Sequence, residues 1–542
     1  MLRLCLIAVL VASIAPARHA TAASIDASVK DVAALRGEPR IVSAAGITRG
    51  DTPLLTIENP SAFDLDVARL RVVLVGGLDG DEGSARAVIA AVRWFKTSAP
   101  LAIRARWSVS ALPLADPDHH AADHPFAFPP DKGFFNDAEQ PESRYLWRWI
   151  AYQAPDLVIQ VRANDAAPGS LTAALSDANA SGLGAVSVEV VPSRDLMQTM
   201  PKLLAAARGR SALREAIDAR VSRGPLAIAR LLAQRYPQTP SMSYIPAVAW
   251  INTLRLAMIT GQDTWRVKVR DQTRPWIAGG TVRPDDQKLL TSLAGYMIFG
   301  EIAVADGNAT ARTLLHESAR IVEAQQQNGT YAAGRGWTDD MFMATAVLAR
   351  AGDGHFLDLA ARQLIDYAAR LQRPDGVFIH AVDGPVAWGR GNGFAALGLM
   401  EALSAMAEPH PPRARLLAIY RRQMAAMKAN QAPDGTWREI IDEPGAYREE
   451  TATAMVLSAM ARGIRLGWID TSYRPIVARA WRALSAHVTE DGALVDVCTG
   501  TGAGPTPRYY LDRAAIDGPD DRGGAMALLA SIEMYEIARR SK

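Results

Sequence analysis

A chain of 542 residues is too long for a single hydrophobic core, which implies two or three domains. Hydrophobic residues make up 49% and charged residues 21%, an ordinary globular mix. The formal net charge is +2 with no basic tract, so no nucleic-acid partner is indicated.

The first residues, MLRLCLIAVLVASIAPARHATAAS, read as a secretory signal over 1–23. Arg3 supplies the positive charge, Leu4 to Ala15 the apolar run, and Ala20-Thr21-Ala22 a small-residue cleavage site. The run is too short to span a bilayer. No later stretch reads as a transmembrane helix, so no membrane partner is expected and the mature chain is exported, to the periplasm. Cys5 leaves with the signal, so Cys498 is the one thiol of the mature chain and no intrachain disulfide forms. Cys498 reads as a small buried residue, since no His lies near it in sequence to activate a nucleophile.

Residues 24–215 alternate strands and helices. LRVVLVGG (70–77), DLVIQV (156–161) and AVSVEVV (185–191) are strands rich in β-branched residues. SARAVIAAVRWF (84–95) and ESRYLWRWIAYQ (142–153) are helical. That order predicts an α/β domain. The stretch 112–133, rich in Pro, Asp and His, is a long surface loop.

From residue 225 to 542 helical periods dominate, in runs such as PAVAWINTLRLAMITG and FLDLAARQLIDYAARLQ. A turn signature recurs between helices: QNGTY, PDGVF, PDGTW and EDGAL. Its glycines, Gly329, Gly376, Gly435 and Gly492, lie 47, 59 and 57 residues apart. Asn-Gly or Asp-Gly before an alternating pair is a hairpin signal. Helix pairs repeated with such hairpins mark a helical toroid, and 318 residues hold six repeats of this size. An all-α (α/α)6 toroid is therefore the predicted fold of this domain.

Five segments open on a polar or glycine-rich cluster and then turn wholly apolar: RPDD (283–286), WTDD (337–340), WGRGNG (388–393), YREET (447–451) and DDRGG (520–524). Helices apolar on every side are buried on every side, so these read as inner helices with N-termini converging on one mouth. Converging N-termini favour an anionic ligand. Arg390 is a candidate bidentate partner for a carboxylate, and Trp337, Trp388 and Trp437 are candidates to stack on sugar faces. Asp339 and Asp340 are adjacent, so their side chains diverge by about 100° and serve different ends. Asp339 shares a face with Phe342 and Met343, and an apolar flank predicts a raised pKa, as a general acid needs. Asp340 is free to cap the helix, hold Arg390 or shape the pocket.

W-x-D-x-x-F-M, a following hairpin His, and W-x-R-G-N-G together resemble the unsaturated rhamnogalacturonyl hydrolases of glycoside hydrolase family 105 and their relatives in family 88. YREETATAMVLSAMARGIRLGWID, CTGTGAG and DRGGAMALLASIEM resemble later segments of the family, so that the likeness covers roughly residues 240–540. It implies an (α/α)6 barrel that removes a 4,5-unsaturated uronic acid from the non-reducing end of lyase-generated oligosaccharides, with no cofactor and no metal. The implied reaction is vinyl-ether hydration, in which an Asp protonates C4 and water adds at C5. By motif, Asp339 matches the catalytic Asp. His380 in FIHAV matches the site His, and Trp388, Arg390 and Asn392 match the substrate-binding run. Asp285 or Asp286 matches a second acid. Phe394 stands where the family usually has Trp.

GGLDGDE (76–82), ESRYLWRWI and PDLVIQVR resemble a zinc carboxypeptidase domain. Asp79 and Arg162 stand where that family has zinc-binding His, Glu82 is kept, and Glu189 matches a catalytic Glu. Asp, Glu and Arg make a poor zinc set, which implies a degenerate domain that binds glycan or peptide. Two alternatives remain: a metallocarboxypeptidase-like hydrolase, and a non-catalytic glycan-binding protein.

Overall fold

The computed structural model describes residues 23–539 apart from 60–62, 120–125, 131–140, 164–168 and 328. The expected signal sequence lies outside the described residues except for Ala23, as does part of the loop 112–133. The chain divides into two compact units. One comprises Met1–Ser222 with Ala432–Asp434 and Glu443–Tyr447; the other comprises Arg223–Gln431, Gly435–Asp442 and Arg448–Lys542.

In the first unit a helix α1 (23–34) precedes the hairpin β1 (Ile41–Ile47) and β2 (Pro53–Glu58). Then come β3 (Leu70–Val75), α2 (Glu82–Thr97), α3 (Leu101–Arg106), β4 (Trp107–Leu112), α4 (Pro141–Tyr152) and β5 (Leu157–Arg162). The unit ends with α5 (Ser170–Ser176), α6 (Ala178–Ser181), β6 (Ser187–Pro192), α7 (Leu196–Ala205) and α8 (Ala212–Val221). The six strands form one sheet in the order β1-β2-β4-β3-β5-β6. β4, β3, β5 and β6 are parallel, and β2 joins β4 antiparallel. Parallel strands covered on both faces read as continuous apolar runs, which is why β3 and β5 were legible. β1, β2 and β4 were not: IVSAAGI, PLLTIE and WSVSAL mix small and polar residues. Val72, Leu74, Leu157 and Ile159 pack with Val88, Val92, Leu196 and Met200 of α2 and α7 in one core.

Asp156, just before β5, ties this unit together. Its Oδ2 accepts from the Arg71 backbone N–H at 2.9 Å and from Arg214 Nη1 at 2.6 Å, and its Oδ1 accepts from Ser211 N–H. Arg214 also donates to the carbonyls of Arg69 and Val67. Both side chains are buried.

The second unit is helical: α9 (Pro225–Arg235), α10 (Tyr244–Thr260), α11 (Thr264–Ile277), α12 (Leu290–Gly295), α13 (Ile298–Asp306) and α14 (Ala309–Ala324) come first. Two-residue strands β7 (Gln326–Gln327) and β8 (Thr330–Tyr331) follow, then α15 (Thr338–Ala351), α16 (Gly354–Leu371), α17 (Gly389–Ala405), α18 (Arg413–Ala429), α19 (Glu450–Arg465) and α20 (Arg474–His487). The last elements are β9 (Leu494–Cys498), α21 (Pro507–Leu511), β10 (Ala515–Gly518) and α22 (Asp521–Arg539). α10, α12, α15, α17, α19 and α22 touch in that cyclic order, and α22 touches α10, so the inner ring closes. α9, α11, α14, α16, α18 and α20 pack outside it, giving six helical pairs.

The four turn glycines of the repeat, Gly329, Gly376, Gly435 and Gly492, all have φ between +76° and +105°. Only glycine adopts that conformation without strain, so the recurring Gly is a backbone requirement. Four inner helices begin inside the predicted polar clusters, at Thr338, Gly389, Glu450 and Asp521. The fifth cluster departs from expectation. RPDD leads into one short turn at Asp286–Lys288 and then α12, which breaks before α13. The sixth inner helix is α10, whose even apolarity follows from burial on all sides.

Replacing Asp156 by Ala would leave buried Arg214 with Asp218, at 3.5 Å, in place of its 2.6 Å carboxylate partner. Urea denaturation of the full chain should show the first transition destabilised by about 3–5 kcal/mol.

Candidate active site

The mouth at the N-terminus of α15 is assembled from α15, α17, the hairpin between α16 and α17, and the segment around α21. Gly389 opens α17 where a Cβ would sit 2.2 Å from the Arg438 carbonyl oxygen, and Gly398 lies where one would sit 2.2 Å from that of Met341. These glycines let α17 approach its neighbours to backbone contact.

Asn392 is fully buried and locks the hairpin. Its Oδ1 accepts from Phe378 N–H at 2.8 Å, and its Nδ2 donates to the Phe378 carbonyl at 2.8 Å and to that of Trp388 at 3.0 Å. His380 follows two residues later, and its backbone bonds Val386 and Thr338. The His380 ring is buried. Nδ1 faces Tyr510 Oη at 2.9 Å and Nε2 faces Asp339 Oδ2 at 3.2 Å. Tyr510 Oη also accepts from Gly504 N–H at 3.1 Å. A carboxylate oxygen only accepts, which assigns the proton of a neutral imidazole to Nε2, facing Asp339, and leaves Nδ1 to accept the phenol proton of Tyr510. Asp339 Oδ1 has no partner among the described residues, and its side chain is 16% exposed. One carboxylate oxygen is thus held and the other is open.

Asp340 lies in a different environment. It is buried, and Oδ2 accepts from Gly336 N–H at 2.7 Å, Arg335 N–H at 3.0 Å and Tyr367 Oη at 2.8 Å. Burial pushes its pKa up to about 6, against the pull of those three donors. Asp340, the more deeply buried of the two, pins the loop before α15.

Several residues expected to bind substrate are instead used up by the protein. Trp388 is 1% exposed and donates Nε1–H to Glu439 Oε1 at 3.0 Å, while its ring lies 4.3 Å from that of His380. Trp437 is likewise buried and donates to the Met427 carbonyl. Neither offers a face to a sugar. Arg390 is 3% exposed and donates to the carbonyls of Cys498 at 2.5 Å and Thr499 at 2.6 Å, with its guanidinium over the Trp388 ring. It clamps the segment after β9 and has no fork to offer a carboxylate. Asn392 is saturated by backbone. Asp286 accepts from Tyr296 Oη at 2.8 Å, and Asp285 pairs with Lys288 at the surface. Trp337 is the tryptophan that stays half-buried at the mouth, its ring 5.1 Å from that of His380. Phe394 packs in the aromatic layer with Tyr244 and Phe342.

Sequence reasoning missed Tyr510, Glu439 and Glu449. Glu449 caps α19, accepting from Thr451 and Ala452 N–H, and also accepts from Cys498 N–H at 2.9 Å. Glu439 is fully buried; burial, with Glu449 beside it, pushes its pKa up to about 8. Cys498 Sγ lies 3.1 Å from Glu439, and burial pushes the thiol up to about 12, so it is inert. In the first unit, Asp79 and Arg162 line a common cavity of about 390 Å³. Glu82 pairs with Arg86 at 3.0 Å and Glu189 lies 3.7 Å from Arg208. Among the described residues no group of three His, Cys, Asp or Glu comes together to hold a metal.

A closed (α/α)6 toroid carrying a hydrogen-bonded carboxylate at one mouth is the class that fold and site define. Residues 303–538 match the family model described as Glycosyl Hydrolase Family 88. An unsaturated rhamnogalacturonyl hydrolase of Bacillus subtilis is 30% identical over 209 residues, covering 35% of this chain and 59% of that protein. An unsaturated 3S-rhamnoglycuronyl hydrolase of an Alteromonas species is 29% identical over 153 residues, covering 28% of this chain and 35% of that protein. The chain thus spans less than two-thirds of the length of either of these relatives. Among solved structures, a possible family 105 member from Klebsiella pneumoniae superposes with a TM-score of 0.52 at 18% identity, over 63% of this chain and 97% of that one. A family 105 glycoside hydrolase of C. acetobutylicum gives 0.50 at 18% identity, over 57% and 99%. The helical unit therefore shares the fold of these two structures.

Because Asp340 has a folded-state pKa above its unfolded value, it favours folding below about pH 4 and loses that contribution as pH rises through about 6. Stability measured from about pH 3 to pH 7 should fall by about 3 kcal/mol relative to Asp340→Asn, whose profile lacks this slope.

Proposed function

We propose that the protein is an exported glycoside hydrolase. It removes a 4,5-unsaturated uronic acid from the non-reducing end of lyase-generated oligosaccharides, with Asp339 as general acid. The observation that carries this is the chain Tyr510–His380–Asp339 at the mouth of the family 88-like toroid, which holds Oδ2 and leaves Oδ1 open. The substrate class is drawn from the names of the Bacillus and Alteromonas relatives, both hydrolases of unsaturated uronyl sugars.

In the proposed reaction Asp339 Oδ1 gives its proton to C4 of the double bond while His380 Nε2–H supports Oδ2. Water adds its hydroxyl to C5 and returns a proton to the carboxylate, and the hydrated ring opens with release of the neighbouring sugar. One acid and one water suffice, so the paired carboxylates of ordinary glycosidases are not required. Trp337 is the residue at the mouth suited to contact the sugar ring.

For the first unit we infer a carboxypeptidase-like domain without metal chemistry. In open parallel sheets ligands bind beyond the strand ends at the switch of strand order. That is where Leu78 and Asp79, after β3, and Gln160 and Arg162, in β5, line their cavity. Asp79, Glu82 and Arg162 make a poor zinc set, which weighs against a metallopeptidase.

Asp339→Asn should lower kcat on lyase-generated oligosaccharides by on the order of 10²–10⁴-fold, read as the disappearance of ultraviolet absorbance from the double bond, with folding intact. Asp340→Asn should lose less. Tyr510→Phe removes the donor that fixes the His380 tautomer; it should lower kcat by about tenfold and leave KM near its original value. Full activity in Asp339→Asn would remove the assignment of the acid.

A further inference from the structure

A second cavity, of about 420 Å³, lies within the toroid unit at the C-terminal ends of α15, α17 and α19, with α10, α13 and α22 completing its wall. Its lining includes Arg350 near the end of α15 and Glu401 near the end of α17, whereas Asp339 sits in the first turn of α15. Arg350 is eleven residues beyond Asp339, which puts it about 16 Å further along the same helix. Phe342 lines this cavity and packs against Phe394 and Tyr244, an aromatic layer below the Asp339 mouth.

The interior of the cavity is charged. Arg255, Glu533, Arg462, Glu401, Arg350 and Glu301 form one unbroken ion-paired chain, and Arg465 also pairs with Glu533. Although burial works against the carboxylates, Arg255 and Arg462 hold Glu533 far below its usual range, and Arg350 and Arg462 lower Glu401. Four arginines therefore stand against three glutamates. The arginines also complement the helix C-termini, which explains their sign.

Complementing helix ends does not explain what remains. Arg255 uses only Nη1, on Asn252 Oδ1 and Glu533, so its Nε and Nη2 have no partner among the described residues. Arg350 Nη2 has none either. Donors of this kind on a cavity wall call for an acceptor, and a carboxylate matches guanidinium geometry. The mouth is apolar and open: Met258 is 60% exposed and Leu466 41% exposed, and both line the cavity. Val248, Ile251 and Leu529 continue the apolar wall inward. A volume of a few hundred Å³ with an apolar rim and convergent charged groups inside suits a small molecule.

We propose that this cavity is a second ligand site, distinct from the Asp339 mouth, which takes a small organic carboxylate with an apolar body. The carboxylate lies against Arg255 and Arg350, and the body lies along Met258, Leu466 and Phe342. A sugar acid, hydroxylated all round, would desolvate its hydroxyls against that wall and is the poorer fit.

The test is a titration of the full-length protein with benzoate, followed by ligand-observed NMR. Benzamide serves as the uncharged isostere, and sulfate and galacturonate as anions without an apolar body. Benzoate should saturate with a Kd of about 1 mM or tighter, and benzamide should bind at least about tenfold more weakly. Ala405→Trp fills the open rim at an exposed position without touching a charge, and should abolish benzoate binding while the circular dichroism spectrum stays unchanged. Arg255→Gln should weaken benzoate by about tenfold and leave benzamide unaffected. The proposal is overturned if benzoate does not saturate, if it binds Ala405→Trp as well as the original chain, or if sulfate or galacturonate binds as tightly as benzoate. None of these readouts depends on Asp339 or on turnover.

Discussion

The side chain of Asn392 is the constraint on which the mouth of the toroid depends. Its amide bonds both the N–H and the carbonyl of Phe378, as a neighbouring strand would, and a third bond closes on its own helix. The hairpin is thereby fixed to α17, and α17 is fixed to α15 and to the segment before α19 through glycines that admit backbone contact. His380 reaches Asp339 only because both anchors hold. Replacing either amide atom would strand a buried backbone group, so the residue is specified by hydrogen bonding on both sides.

The mouth is built in two layers. Trp388, Arg390, Glu439, Glu449 and Cys498 form a buried polar layer in which each group is held by another. Asp339, His380 and Trp337 stand above it. The lower layer resists rearrangement, since its charges and N–H groups have no other partners at that depth. The upper layer keeps one carboxylate oxygen uncommitted. Rigid support beneath an open acid is what general acid catalysis asks of a scaffold.

Much of the fold was legible because the signals were backbone signals. Gly329, Gly376, Gly435 and Gly492 mark turns by a conformation that other residues avoid, and the apolar runs after WTDD, WGRGNG, YREET and DDRGG mark burial on all sides. The strands β1, β2 and β4 escaped because their burial is not written in their polarity. At the site, His380 Nε2 lies 3.2 Å from Asp339 Oδ2. Trp388, Trp437 and Arg390 are turned inward; a motif gives a residue's chemistry and not the direction it faces. Guanidinium suits a carboxylate ligand, yet here it is spent on two carbonyls. Asp340 shows the same limit from the other side: adjacency in sequence conceals that one carboxyl is solvated at the mouth and the other is roofed by the loop 334–336. Tyr510 carried no signal, since nothing local distinguishes it from Tyr509.

Tyr510 is also 130 residues from the histidine it orients. The acid, the imidazole and the helix beneath them are all synthesised well before the phenol that sets the imidazole proton. During translation the toroid can gather most of its inner helices while the charge arrangement at its mouth is still unset. The imidazole gains its Tyr510 partner late, once the segment running from β9 through α21 has been made.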